Sequence, residues 1–250
     1  MSTGRLVILT GPSCVGKSPL IRALARHRPD LEERLQPIVL SNSRDPRPGE
    51  RDGVEYHFRS RADIEALRNV SDRYVVMDVR GDLQALDREE MHALLRKGDA
   101  LFEGNPFIGQ VLVTDPSLRD VPRLSVFLTP LSRAEIEAMQ RLRSGSVAEL
   151  VTDVMRRKLL RRTTRQKGIL SLPDLQNIER RCGSAYEELR LAHLFDHVIA
   201  NHDGEDSEHW DAFPIPLGDA GRALSFVIAL LEGQTPAGLG EAWDRTLLPG

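Results

Sequence analysis

Short apolar runs alternate with amphipathic stretches over most of the chain. Residues 5–10 (RLVILT) form an apolar, β-branched run with glycine on both sides, which is typical of a buried parallel strand. Residues 17–27 (KSPLIRALARH) then carry apolar side chains at helical spacing. A strand, a glycine-containing loop and a helix therefore follow one another at the start of the chain.

The alternation continues downstream. Strands are predicted at residues 37–40, 74–79, 99–103, 124–128 and 197–200, and helices at 88–97, 132–142, 172–194 and 219–231. Strands that alternate with helices favour a mostly parallel sheet with helices on both faces, which is an α/β fold.

Polar stretches interrupt this pattern at three places. Residues 41–61 are rich in Arg, Pro, Gly and Asp and must lie at the surface, residues 155–167 are strongly basic, and residues 202–211 are acidic. The acidic stretch resembles a metal cluster by composition only, so we interpret it as a solvated loop. Residues 232–250 contain Gly and Pro and are expected to form a loosely ordered tail.

Composition adds few constraints. Hydrophobic residues make up 40% of the 250 residues, and 34 Lys and Arg face 37 Asp and Glu, so charge favours no particular partner. Cys14 and Cys182 lack C-x-x-C spacing, which indicates neither a disulfide framework nor a zinc site and favours a reducing cytoplasm. No apolar stretch approaches twenty residues and no signal-peptide layout is present, so no membrane segment is expected.

A phosphate-binding loop lies between the first strand and the first helix. The pattern G-x-x-x-x-G-K-[ST] is matched in full by Gly11, Pro12, Ser13, Cys14, Val15, Gly16, Lys17 and Ser18. In this context we expect the loop amides to surround a β-phosphate, Lys17 to bridge the β- and γ-phosphates, and Ser18 to hold Mg²⁺. ATP and Mg²⁺ are thus the expected ligands of a P-loop NTPase-type fold, the alternative being a chance glycine turn.

The segment SNSRDPRPGERDGVEYHF, residues 41–58, is the most informative for the acceptor. It resembles the acceptor-phosphate segment of guanylate kinases, with Ser43, Arg44, Arg47 and Tyr56 at matching positions. The resemblance implies that the two arginines and the tyrosine hold the acceptor phosphate. Guanidinium forks and a phenol are suited to this role, whereas the alternative is a solvated, turn-rich loop.

The resemblance extends more weakly toward the end of the chain. It implies that Arg141 opens a lid, that Arg181 reaches toward the transferring phosphate, and that Asn201 lies near adenine. Glu103, directly after an apolar strand, corresponds loosely to the family's acidic residue near magnesium.

The departures fall where the acceptor base would be recognised. Leu40 replaces the family's usual serine, and YVVMDVRGDLQALD lacks the base-reading glutamate and the second tyrosine. Asp78 is a candidate replacement carboxylate, although a strand-end aspartate that caps a loop is an equal alternative.

The lid is longer than in the family. Its basic residues are Arg156, Arg157, Lys158, Arg161, Arg162, Arg165 and Lys167. We expect some of these to close over the triphosphate, while for any single one a solvated helix with Leu159 and Leu160 facing inward is the competing interpretation. A nucleic-acid role is disfavoured by the lack of interleaved aromatic residues and the net charge of -3.

The sequence therefore predicts one guanylate kinase-like domain over residues 1–250, with an acceptor-binding segment at 37–98 and a lid insertion at 141–180. The expected activity is ATP-dependent phosphoryl transfer to a small phosphate-bearing acceptor, with GMP as the default. Another nucleotide or a phosphorylated sugar is the alternative within this chemistry. A catalytically silent binding module and a nucleic-acid-associated ATPase are the alternatives from other classes.

Overall fold

The computed structural model describes residues 4–47, 49–142, 146–236, 238 and 240–249. Residues 143–145 of the predicted lid and residues 237, 239 and 250 of the predicted tail lie outside the described residues. The strands are β1 Leu6–Thr10, β2 Leu35–Pro37, β3 Ser41–Asn42, β4 His57–Phe58, β5 Tyr74–Val79, β6 Asp82–Asp87, β7 Asp99–Gly104, β8 Arg123–Thr129 and β9 His197–Ala200. The α-helices are α1 Lys17–His27, α2 Pro29–Glu32, α3 Arg61–Ala66, α4 Arg88–Leu95, α5 Pro106–Thr114, α6 Arg133–Leu142, α7 Val147–Lys167, α8 Leu172–Gly183, α9 Ala185–Arg190 and α10 Gly218–Leu231.

A five-stranded parallel sheet in the order β2-β7-β1-β8-β9 forms the centre of the molecule. Alternate residues of β1 face opposite sides of it. Leu6 and Ile8 belong to a core shared with α5 and the lid helices, whereas Val7 and Leu9 belong to a core shared with α1 and α10. Helices therefore cover both faces, and the predicted α/β fold class is confirmed.

A second, mostly antiparallel sheet in the order β4-β3-β6-β5 carries the acceptor segment. The predicted strand 74–79 is β5, but it pairs here with β6 rather than in the parallel sheet, and β6 was not predicted. A tight turn joins the two strands, with φ of 61° at Arg80 and 90° at Gly81. Two positive φ values in succession suit the right-handed twist of a hairpin.

The strand predicted at 37–40 is wrong, because the chain changes sheets within it. β2 ends at Pro37, and the amide of Ile38 donates the last hydrogen bond to the central sheet, at Leu101 O. Leu40 O then accepts from His57 N of the second sheet. An apolar run can therefore bridge two sheets without forming a strand of either.

The basic stretch, residues 155–167, is the carboxyl-terminal part of a longer helix, α7. α7 runs for 21 residues and buries Val151, Met155 and Leu159 against the core. The helix predicted at 172–194 is divided into α8, α9 and a short 3-10 turn at Ala192–Leu194.

The described part of the tail packs on the molecule. Trp243, Leu247 and Leu248 are each at most 8% exposed and join the core beneath the lid helices. Glu241 pairs in antiparallel fashion with Val198 of the edge strand β9. Among the described residues, no helix is long and apolar enough to cross a membrane.

Candidate active site

A cleft of about 420 Å³ lies where the P-loop, the second sheet and the lid helices meet. Its P-loop wall contains Gly11, Ser13, Cys14, Lys17 and Ser18. The cleft opens beyond the carboxyl ends of β1 and β7, which is where ligands bind in open α/β sheets.

The P-loop backbone requires glycine at two positions. Gly11 has a φ of 145°, and a Cβ there would lie 2.3 Å from Leu128 O. Gly16 has a φ of 105°, and its Cβ would lie 2.5 Å from the side-chain amide of Asn201. Only glycine combines these conformations with such close contacts, and α1 begins directly afterwards at Lys17.

Lys17 turns back over the loop. Its Nζ donates to Gly11 O and Pro12 O at 2.8 Å each, and the residue is 8% exposed. Burial lowers the pKa of Lys17, an effect opposed by the carboxylates of Glu205 and Glu103. A buried cation held only by carbonyl oxygens is well placed to exchange them for phosphate oxygens.

Ser18 and Glu103 place two oxygen-bearing side chains next to each other near Lys17. The Ser18 hydroxyl donates to Glu103 Oε1 at 2.6 Å, and burial raises the pKa of Glu103 despite this bond. The described residues contain no group of three or more His, Cys, Asp or Glu side chains able to hold a metal. Mg²⁺ usually takes only one or two protein ligands and completes its coordination with substrate phosphates and water. A hydroxyl and one carboxylate therefore suit this ion.

The acceptor segment provides the opposite wall. Arg44, Arg47 and Tyr56 all line the cleft. Arg44 donates to both carboxylate oxygens of Glu50 at 2.6 and 2.7 Å, and its guanidinium lies 5.0 Å from the Tyr56 ring centroid. Loss of contact with water and the charges of Arg44 and Arg162 lower the pKa of Arg47, although its side chain is 45% exposed. Several cations therefore lie close together on this side of the cleft.

Two predicted acceptor residues are not brought to the cleft. Ser43 directly follows β3 and does not line the cleft; its Oγ accepts from Leu83 N of β6 at 2.8 Å. Asp78 pairs with Arg61 at 3.2 Å and accepts from Gly81 N at 2.7 Å, so it closes the β5–β6 turn. Successive side chains along a strand face opposite sides of the sheet. Ser43 and Asp78 are each one position away from residues whose side chains face the cleft.

Asn42, Asp82 and Gln84 have the right parity and line the cleft instead. Asn42 is directly opposite Gln84 in the β3–β6 register. Asn105 caps α5 by accepting from Ile108 N, so its amide donates to Gln84 Oε1 at 2.8 Å. The spacing Gly81-x-x-Gln84, where the family has Gly-x-x-Tyr, could have indicated Gln84.

The lid contributes arginines from two helices. Arg181 of α8 donates to Ser13 Oγ at 2.9 Å, and Arg162 of α7 lies beside it in the cleft wall. Burial together with the charges of Arg162 and Arg47 holds the pKa of Arg181 well below its usual range. Three guanidinium groups thus converge between the P-loop and the acceptor segment.

Arg141 and Asn201 are placed away from the cleft. Arg141 is exposed at the end of α6, next to the segment outside the described residues. Asn201 is fully buried, and its amide donates to Val15 O at 2.8 Å and Asp203 O at 2.9 Å. Asn201 therefore supports the P-loop from behind and has no donor left for a ligand.

Sequence reasoning also missed Glu205. The sequence predicts that residues 202–211 form a solvated acidic loop, but the Glu205 carboxylate lines the cleft and accepts from Arg162 Nη1 at 2.7 Å. The loop is remote in sequence from both the P-loop and the lid, and only the fold brings the three together.

The parallel sheet, the P-loop between β1 and α1, and the cation-lined cleft define a P-loop phosphotransferase. A guanylate kinase family model matches residues 3–82. The chain is 30% identical over 206 residues to guanylate kinase from Idiomarina loihiensis, covering 82% of each protein. It is also 30% identical over 239 residues to guanylate kinase from a Mycobacterium species (strain MCS), covering 96% of each.

The chain belongs to the guanylate kinase family. A solved structure agrees at the level of the fold. Guanylate kinase from Anaplasma phagocytophilum superposes with a TM-score of 0.53 at 16% identity, over 96% of this chain and 90% of the other.

Proposed function

We propose that this protein transfers the γ-phosphoryl group of ATP to the phosphate of GMP, giving ADP and GDP. One observation carries the proposal: a complete P-loop and an arginine- and tyrosine-lined acceptor segment face each other across one cleft. Membership of the guanylate kinase family supports the same assignment.

The reaction requires little covalent participation by the protein. An acceptor phosphate oxygen attacks Pγ, the bond from Pγ to the bridging oxygen breaks, and that electron pair leaves on ADP. Positioning and charge stabilisation therefore supply catalysis. We assign the donor side to Lys17 and Arg181, and the acceptor side to Arg44, Arg47 and Tyr56.

Lys17 exchanges its two carbonyl partners for phosphate oxygens when ATP binds. Arg181 is held by Ser13 of the P-loop, so its guanidinium lies at the donor side of the cleft. Ser18 and Glu103 would hold Mg²⁺, which neutralises charge on the β- and γ-phosphates when bound. Use of ATP and two unpaired cysteines support a cytoplasmic location.

The test is an ADP-release assay with Mg-ATP and a panel of acceptors, namely GMP, AMP, CMP, UMP and phosphorylated pentoses. We expect turnover with GMP and loss of at least about a thousandfold in kcat/KM for Lys17→Ala. Turnover that strongly prefers another acceptor would overturn GMP but retain the kinase. No turnover above the Lys17→Ala background, with ATP still bound, would overturn the kinase and favour a binding module.

A further inference from the structure

The loop that follows β9 rests directly on the P-loop. A Cβ at Gly204 would lie 2.2 Å from Cys14 O, and the next amide, Glu205 N, donates to the same carbonyl at 3.2 Å. Trp210 anchors the loop, since it is 2% exposed and donates from its indole to Asp203 O and Gly204 O. The backbone of Glu205 is thereby fixed against the phosphate-binding loop.

Acidic side chains of this loop pair with basic residues of the lid helix α7. The ion pairs are Arg162–Glu205 at 2.7 Å, Arg161–Asp206 at 3.6 Å, Lys158–Asp206 at 3.7 Å and Arg165–Glu208 at 3.7 Å. Of these residues only Arg162 and Glu205 line the cleft. The other three pairs hold α7 against the loop, whereas the Arg162–Glu205 pair borders the cleft where substrates bind.

Arg162 is largely buried, and its ion pair with Glu205 is its closest contact with a carboxylate. Its side chain is 13% exposed, and its Nε is buried without a hydrogen-bond partner among the described residues. Arg47 and Arg181 are close enough for Arg162 to depress the pKa of both. Burial opposes the charge of Arg162, but the charge and hydrogen bond of Glu205 act against burial and raise the pKa of Arg162 above its usual value.

We propose that Glu205 is a positioning residue for phosphoryl transfer and holds the guanidinium of Arg162 beside the γ-phosphate of ATP. The reaction itself is the proposed one, on which this role depends. Arg162 lines the same cleft as Arg181, which contacts the P-loop, and Arg47, which belongs to the acceptor segment. A third cation at that point stabilises the charge that spreads over the transferring phosphoryl group.

A simpler role for Glu205 predicts the opposite change in the preference for ATP over ADP. If the carboxylate only occupied an anion site and competed with ATP, its neutralisation would strengthen ATP binding relative to ADP. A positioning role predicts a weaker preference for ATP, because Arg162 moves away from the γ-phosphate when Glu205 no longer holds it.

The experiment compares ATP and ADP binding by titration calorimetry in wild type, Glu205→Gln, Arg162→Gln and the double variant. We expect each single variant to reduce the ATP-over-ADP preference about tenfold and the double variant to be no worse than Arg162→Gln. Glu208→Gln, which removes a carboxylate from the same loop outside the cleft, is the matched control and should not change the preference. An increased preference in Glu205→Gln, or effects that multiply in the double variant, would overturn the proposal.

Turnover provides a second readout. Glu205→Gln should lower kcat at least about tenfold while KM for GMP changes little. The binding comparison does not need a productive acceptor, so failure of GMP as substrate is distinguishable from failure of the role of Glu205. If Glu205→Gln unfolds, Glu205→Asp, which withdraws the carboxylate by one methylene, should reduce the ATP preference in the same direction.

Discussion

Single residues fix the cleft through close backbone contacts. Gly204 has no room for a side chain, because the carbonyl of Cys14 occupies the position that a Cβ would take. Gly183, at the end of α8, has nothing within 4 Å of its Cβ position. Substitution by alanine should therefore change the free energy of unfolding in opposite directions at the two positions.

We expect Gly204→Ala to lower the free energy of unfolding by roughly 1–3 kcal/mol, because the P-loop and the β9 loop must move apart. Gly183→Ala should raise it by up to about 1 kcal/mol, since alanine favours a helix at an open position. Urea unfolding measures both. Equal changes in the two variants would show that the close contact at Gly204 is not energetically significant.

Both cysteine thiols should be unreactive in the folded protein. Cys14 and Cys182 are buried, and burial, reinforced by the charge of Glu205, raises the pKa of Cys14 to about 12. Thiolate is the reactive form. We expect negligible labelling by a thiol reagent at about pH 8, and labelling of both thiols in denaturant. Fast labelling of the native protein would contradict the buried placement of Cys14.

The residues of the site differ in how far the sequence could identify them. Lys17 and Ser18 belong to the P-loop motif and Glu103 lies near the end of β7, so the local pattern places all three. Asp82 lines the cleft and Asp78 does not, and to tell the two apart requires the strand parity of a hairpin whose second strand, β6, the sequence does not indicate. Glu205 required a contact between segments almost two hundred positions apart, about which the local pattern contains no information.

At the scale of elements, polar contacts hold helices and hairpins in place around the cleft. His202 joins α6 to α10, with one ring nitrogen bonded to Glu135 at 2.9 Å and the other to Asp219. Arg80 joins the β5–β6 turn to α9, where its Nε donates to Glu188 at 2.9 Å. These contacts differ in exposure and should respond to different perturbations.

His202 should contribute stability that disappears as the pH rises. Partial burial opposes protonation, but hydrogen bonds to Asp219 and Glu135 raise the pKa of His202 above its ordinary 6.5. The charged ring is the paired form, so its contribution is complete below the ordinary value and is lost as pH rises through the raised pKa. Thermal unfolding of wild type and His202→Asn between about pH 5.5 and 9 measures this.

The difference in stability between the two proteins should be largest at the acidic end of that range and shrink toward the alkaline end. Glu135→Gln, which removes one partner, should reduce the effect. A difference independent of pH would mean that the ring acts through packing alone.

Arg80 should be needed because Glu188 is fully buried. The Glu188 side chain has 0% exposure, and its Oε2 has no hydrogen-bond partner among the described residues. Arg80→Met leaves that carboxylate uncompensated and should cost roughly 3–5 kcal/mol of stability. Adding Glu188→Leu should recover most of the loss. If the double variant is no more stable than Arg80→Met, Arg80 stabilises the turn in another way.

At the scale of the whole molecule, the sequence predicted the central sheet but not the division of strands between two sheets. Apolar runs such as residues 5–10 and 124–128 are buried on both faces, and their pattern is distinctive. β3 and β4 have only two residues each. Strands this short are set by pairing rather than by their own composition, so no local pattern indicates them.

The structure of the tail is also not indicated by its local sequence pattern. Its Gly and Pro content predicts loose order, yet Trp243 and Leu247 lie in the core and Glu241 is hydrogen-bonded through both its backbone and its side chain. Glu241 exchanges backbone hydrogen bonds with Val198 at 2.7 and 3.1 Å, and its side chain accepts from Arg133 N at 2.8 Å.

Deletion of residues 240–250 should therefore destabilise the fold by several kcal/mol, because at least three apolar side chains leave the core. Chemical denaturation measures the loss. Glu241→Pro, which removes the amide that pairs with Val198 and the carboxylate that accepts from Arg133 N but leaves the apolar side chains in place, is a milder comparison. A deletion that unfolds at the wild-type denaturant concentration would show that the tail contributes nothing to the core.

An unpaired strand edge is a template on which another chain can add a strand. β9 is the last strand of the central sheet, and the backbone of Glu241 occupies hydrogen-bonding groups that β9 would otherwise present to its surroundings. The protein thus covers its own open edge at Val198 with a segment that lies beyond α10, so any molecule in which this segment detaches presents that part of the edge to other copies of the chain.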